Sequence, residues 1–338
     1  MLMIGKLSGA LALSLVLWFS VDWPLALEVL AGANRALVVA AFLASMLTIV
    51  VSARKWQRLL HRGGIPLPFT IAARLYWIGS FFSNFLPTGV GGDAVRLLLT
   101  PTAQGRGPVA VSILVERLSG LFVMLLLSGL ALAILPLELG AFAPQAAAIV
   151  AVLAAATLVP ALLSLPPRFL WLVAACEPHL PGFARRPLGA ARRAAAELIG
   201  QGCDARAVTG AILYSLPFYG AVMLAQYLML RAVGADVALT AVILGAPLVS
   251  LVALTPITIN GLFLAEGAFV LVYASAGVAP EVALAAALLR RLVDLANSGL
   301  IGSALWVGWR VGGGGRPATR PAIGVSAARS LRLTAARG

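Results

Sequence analysis

Apolar runs long enough to cross a bilayer recur along the chain, and two of them are broken in the middle by proline, glycine and polar residues. A hydrocarbon core about 30 Å thick takes about 20 apolar residues of helix. Without water there, each backbone polar group must find its partner inside the protein, which leaves helical bundles and closed barrels. A barrel needs the period-2 alternation of a strand that faces lipid on one side only, and these continuous runs lack it. Hydrophobic residues make up 61% of the chain and charged ones 11%, with a mean hydropathy of +0.99, more than a water-soluble core requires. The expected fold is an all-α integral membrane protein, a polytopic helical bundle.

The net charge of +13 gains meaning from its position. Basic residues fall at Lys6, from Arg54 to Arg74, at Arg96 and Arg106, from Arg168 to Arg206, and in a tail with Arg310, Arg316, Arg320, Arg329, Arg332 and Arg337. They gather at the expected membrane edges, which is the positive-inside pattern. The partners this implies are membrane lipids with anionic headgroups, not nucleic acid. Arg35 and Arg231 are exceptions that the topology places outside. Both termini are expected in the cytoplasm, with the chain in a cell inner membrane and the first helix retained as an anchor. With only His61 and His179, and with Cys176 and Cys203 in an inner segment, no metal site or cofactor is expected.

Spans are expected at about 4–21, 36–53, 108–135, 145–165, 207–230 and 281–309. The 36–53 span is expected to end at Arg54, Lys55 and Arg58, back on the inner side. Residues 1–311 form the membrane domain and 312–338 a basic, disordered cytoplasmic tail. Within the membrane domain, 166–206 is a polar cytoplasmic interruption whose alanine- and arginine-rich part suits an amphipathic surface helix.

The broken segments differ from these spans. From Ile71 to Leu99 the run is interrupted by Asn84, Pro87, Gly89, Gly91, Gly92 and Asp93. Residues 238–274 are interrupted at Pro256, Asn260 and Gly261, with Glu266 and Gly267 following. Neither reads as a straight helix. Each reads as a re-entrant-like hairpin, the first open to the cytoplasm and the second open outward, and each is followed by a long charged helix. Two such units in opposite orientation form an inverted repeat, a recurring plan of secondary transporters.

The charges inside the spans point the same way. Glu116 and Arg117 lie roughly 12 Å beyond Pro108 along a helix rising about 1.5 Å per residue, and Arg290 and Asp294 are similarly deep. Charge at the centre of a bilayer costs about 2.5 to 3.5 kcal/mol per residue unless it is paired or hydrated. Glu116 and Arg117 point about 100° apart on a helix and need partners from elsewhere. Asp93, Arg96 and Glu266 are candidates, while Arg290 and Asp294 can pair with each other. One reading is structural ion pairing. The other is a polar cavity holding Asp93, Arg96, Glu116, Arg117, Glu266, Arg290, Arg291 and Asp294, whose arginines suit a lipid phosphate and whose helix starts after Gly91 and Gly261 aim backbone donors likewise.

The stretch Asn84-Phe85-Leu86-Pro87-Thr88-Gly89-Val90-Gly91-Gly92-Asp93-Ala94-Val95-Arg96 resembles the membrane domain family of lysylphosphatidylglycerol synthases. The resemblance continues at Val115-Glu116-Arg117-Leu118 with Gly120, and at Gly261 with Glu266-Gly267-Ala268. It implies a flippase-like transporter of amphiphilic lipids with the hairpins as its translocation site. Asn84, Pro87, Gly91, Gly92, Asp93, Arg96, Glu116, Arg117, Gly261, Glu266, Arg290, Arg291 and Asp294 are then the substrate-binding candidates. Asn260 stands where the family commonly has glycine. Only a short basic tail follows Trp309 here, so lysyl transfer is not expected.

A lipid translocase is the leading expectation. The alternatives are a non-transporting membrane partner of a lipid-modifying enzyme or glycosyltransferase, and an intramembrane enzyme. The last lacks any histidine, serine-lysine dyad or metal-ligand cluster in the spans to carry its chemistry.

Overall fold

The computed structural model describes residues 21–85, 91–134, 205–253 and 263–311, and among them every regular element is helical. The expected first span up to residue 20, the span at 145–165, the basic segment up to residue 204 and the tail 312–338 lie outside the described residues. So do the hairpin turns at 86–90 and 254–262, with Pro87 and Gly261.

The acidic connector contains a short helix, α1 (Trp23–Ala31), capped by the Asp22 carboxylate, which accepts from the Leu25 N–H at 3.1 Å. Asn34 starts α2 (Arg35–Arg62) in the same way, accepting from the N–H groups of Ala36 and Leu37. This helix corrects the expected end near residue 53: it runs on through Arg54, Lys55 and Arg58 and stops at Gly63 and Gly64, the latter at φ +78°. Charge does not terminate a helix; the glycine pair does.

The first broken segment forms α3 (Phe69–Phe85) and α4 (Gly91–Leu99), followed by α5 (Gly107–Ile134). The second half holds α6 (Ala205–Ala232), then α7 (Leu239–Ala253) and α8 (Leu264–Ser275) as the arms of the second broken segment. The last expected span comprises α9 (Pro280–Leu295), a π-helical turn at Ala296–Ile301, and α10 (Gly302–Val311).

Helices α2 and α6 pack along each other more extensively than any other described pair. They run antiparallel, since the Asn34 N–H at the start of α2 donates to the Ala232 carbonyl at the end of α6 at 2.8 Å. The paired arms of each hairpin also pack together, and glycine decides how closely. A side chain at Gly92 on α4 would overlap the Gly79 carbonyl and Ser83 on α3, and one at Gly245 on α7 would press on Val272 of α8.

The sequences Arg35–Arg62, Gly107–Leu130 and Arg206–Ala232 are long and apolar enough to cross a membrane. On α2, Val39, Leu43 and Leu47 stand exposed at four-residue spacing, an apolar outer face that suits lipid and not water.

Candidate functional site

The first site is built where α3, α4 and α5 meet α2. Asp93 lies in the first turn of α4 and Arg96 in its last turn, three residues on and on the same face. Arg96 is buried and divides its guanidinium between the hairpin's own acid and the next helix, donating to Asp93 Oδ1 at 2.5 Å and to Glu116 Oε2 at 2.7 Å. Its planar group also lies against the rings of Tyr76 and Trp56, 4.4 and 4.8 Å from their centres. The Tyr76 hydroxyl donates to the other Glu116 oxygen at 2.8 Å. Arg117 turns a different way on α5, as its angular separation from Glu116 requires, and its Nε donates to Asp93 Oδ2 at 2.8 Å.

Every carboxylate oxygen in this cluster therefore has a strong donor. Arg117 has capacity left over. Its side chain is 52% exposed, and among the described residues its two terminal nitrogens have no partner. A guanidinium held by one edge, with the other edge open, can donate two parallel hydrogen bonds to a phosphate.

The second site joins α8 to α9. Glu266, in the first turn of α8, accepts from Arg291 Nε at 2.8 Å and from its terminal Nη2 at 2.7 Å, both through Oε1. Its Oε2 and the Nε of Arg290 are buried without a hydrogen-bond partner among the described residues. Arg290 and Asp294 pair on one face of α9 as their spacing predicts, at a loose 3.6 Å. Phe263, just before α8, takes a left-handed φ of 62°, a conformation costly for a bulky side chain and found preferentially at functional sites.

The candidates thus divide into two groups. Asp93, Arg96, Glu116 and Arg117 form one network; Glu266, Arg290, Arg291 and Asp294 form the other. Glu266 does not serve Glu116 or Arg117, because Arg291 on the adjoining α9 takes it. Gly91 begins α4 and Gly92 supplies its close approach to α3. The Asn84 Nδ2 donates to Ser298 Oγ at 2.5 Å in the π-helical turn.

That turn links the two sites. Trp77, next to Tyr76 on α3, donates its indole N–H to Asn297 Oδ1 at 3.0 Å. Asn297 donates to Ser45 Oγ at 3.1 Å, and Ser45 lies 3.4 Å from Asp294 Oδ1. A π turn carries one residue more than an α turn and so brings Asn297 and Ser298 round onto α3, a device common at functional sites. Sequence reasoning missed Tyr76, Trp77, Ser45, Asn297 and Ser298, which look ordinary in apolar helices. It also misplaced Lys55, read as an edge residue but buried at 6% exposure beside Glu116. Arg231, expected outside, is held by Asp236 at 2.8 Å.

A bundle of long apolar helices enclosing two ion-pair networks defines a polytopic α-helical membrane protein with a charged interior site. Within that class the chain belongs to the family of the lysylphosphatidylglycerol synthase TM region, which matches residues 6–302. No curated protein and no solved structure matches it.

Proposed function

We propose that this protein is a flippase-like lipid translocase that moves an amphiphilic, phosphate-bearing lipid across the inner membrane, acting as a transporter and not as an enzyme. The observation that carries this reading is the half-open Arg117, anchored by Asp93 inside a bundle and presenting unoccupied donors. A headgroup phosphate would dock there while the acyl chains stay in lipid, and the two hairpins would exchange access between the leaflets. The paired acids and arginines lower the cost of a polar path that bare hydrocarbon would not accept. The basic edges of the chain support cytoplasmic termini.

Replacing Arg117 with alanine removes the open donors and leaves Arg96 to hold Asp93 and Glu116 together. Arg117→Ala is expected to abolish flipping of a tail-labelled phospholipid in proteoliposomes while the purified protein keeps its unfolding temperature within a few degrees. Undiminished flipping by this variant would remove the basis of the reading.

A further inference from the structure

Lys55 is a buried charge that neither hairpin supplies. Its ammonium donates to the Glu116 backbone carbonyl at 2.9 Å and to Ser215 Oγ on α6 at 2.8 Å, with Gly120 of α5 leaving room beside it. Both acceptors are neutral. Among the described residues no carboxylate forms an ion pair with Lys55: the carboxylate of neighbouring Glu116 is committed to Arg96 and Tyr76, and that of Asp93 to Arg96 and Arg117. Through its bond to the Glu116 backbone carbonyl the ammonium lies beside the Arg96–Glu116 ion pair. Among the described residues the first site thus holds three cations, Lys55, Arg96 and Arg117, against two anions, Asp93 and Glu116, and carries one positive charge in excess. The second site holds Arg290 and Arg291 against Glu266 and Asp294 and is balanced. Burying an uncompensated ammonium is costly, and an apolar residue would fill this position at lower cost if packing were all that was needed.

We propose that Lys55 sets the charge preference of the first site: its unbalanced ammonium favours a lipid headgroup with one net negative charge over a zwitterionic one. The proposal rests on Arg117 as the phosphate-holding group. Lys55 is a positioning residue: two of its three donors bond the Glu116 carbonyl and Ser215, and it acts on the ligand through space. In a low-dielectric interior such a charge changes affinity by about tenfold or more over several ångströms.

The test is binding by the full-length protein in neutral detergent micelles, using tail-labelled phosphatidylethanol, a bare singly charged phosphodiester, and phosphatidylcholine with the same chains. The native protein is expected to prefer phosphatidylethanol by about tenfold. Lys55→Gln should abolish that preference and Lys55→Arg should keep it. Two variants on α6 separate charge from packing. Ser215→Ala removes a hydrogen bond but keeps the excess charge, so the preference should survive. Ser215→Asp places a carboxylate against the ammonium and should erase the preference with Lys55 in place, which also serves if Lys55→Gln does not fold.

A native protein without preference, or Lys55→Gln and Ser215→Ala weakening both lipids alike, would overturn the proposal and leave Lys55 as a helix tie. Displacement of the labelled lipid by equimolar inorganic phosphate would assign the site to a free anion and overturn it too. Binding is read without transport, so charge-selective binding with no flipping sinks the translocase reading alone.

Discussion

The ion networks of the two hairpins differ in how completely they are satisfied. In the first, Asp93 and Glu116 use all four carboxylate oxygens, and the surplus lies with the cations, in the open edge of Arg117 and the unbalanced Lys55. In the second, Glu266 uses one oxygen for both Arg291 contacts and leaves the other without a partner among the described residues, while Arg290 and Asp294 touch loosely. The difference follows from position. Arg96 sits one helical turn from Asp93 on a short arm that packs on both α3 and α5, so it reaches acids of two helices at once. Arg290 and Asp294 share one helix and, among the described residues, bond only each other and Ser45. A saturated network holds its geometry and leaves one defined group free for a ligand; an incompletely satisfied one has slack for rearrangement.

Removing the central acid of each network should have the largest effect. Glu116→Ala strands buried Arg96 and is expected to cost about 3 to 5 kcal/mol of stability, seen as a large fall in unfolding temperature in micelles. Glu266→Ala should cost less, since among the described residues one of its oxygens makes no bond. Equal losses would mean that the two networks are equally tight. Next come the glycine crossings. Gly92→Ala meets the Gly79 carbonyl, which cannot move away, and should cost about 1 to 3 kcal/mol. Gly245→Ala meets the Val272 side chain, which can rotate, and should cost less in the same unfolding experiment. The smallest effect is expected from Asp294→Asn, which breaks a half-open pair worth about 1 kcal/mol or less. A loss as large as that of Glu116→Ala would show the second network to be far tighter than its distances imply.

Much of this was legible in the residues themselves. The long apolar runs of α2, α5 and α6 announce membrane helices, and the break between Asn84 and Gly92 separates α3 from α4. Arg290 and Asp294 announce their pairing by a spacing of four. Lys55 was misread because a basic residue after an apolar run usually marks a membrane edge, and nothing local says that α2 continues to Gly63. The π turn at Ala296–Ile301 leaves no local mark either, because it arises from the fit of Asn297 and Ser298 against Trp77 and Asn84.

The residues alone place the chain in a membrane as a helical bundle and show where two of its helices break and which acids and arginines fall within the apolar runs. Hydropathy, proline and glycine act over a few residues, and so they can be read along a line. Which charge meets which is set by the packed bundle: Glu116 goes to Arg96 and Glu266 to Arg291, the two networks meet through Tyr76 and Trp77, and Lys55 adds a positive charge to the first. Those outcomes depend on how far each helix is rotated and how deep it sits against its neighbours. Packing across the whole bundle sets both.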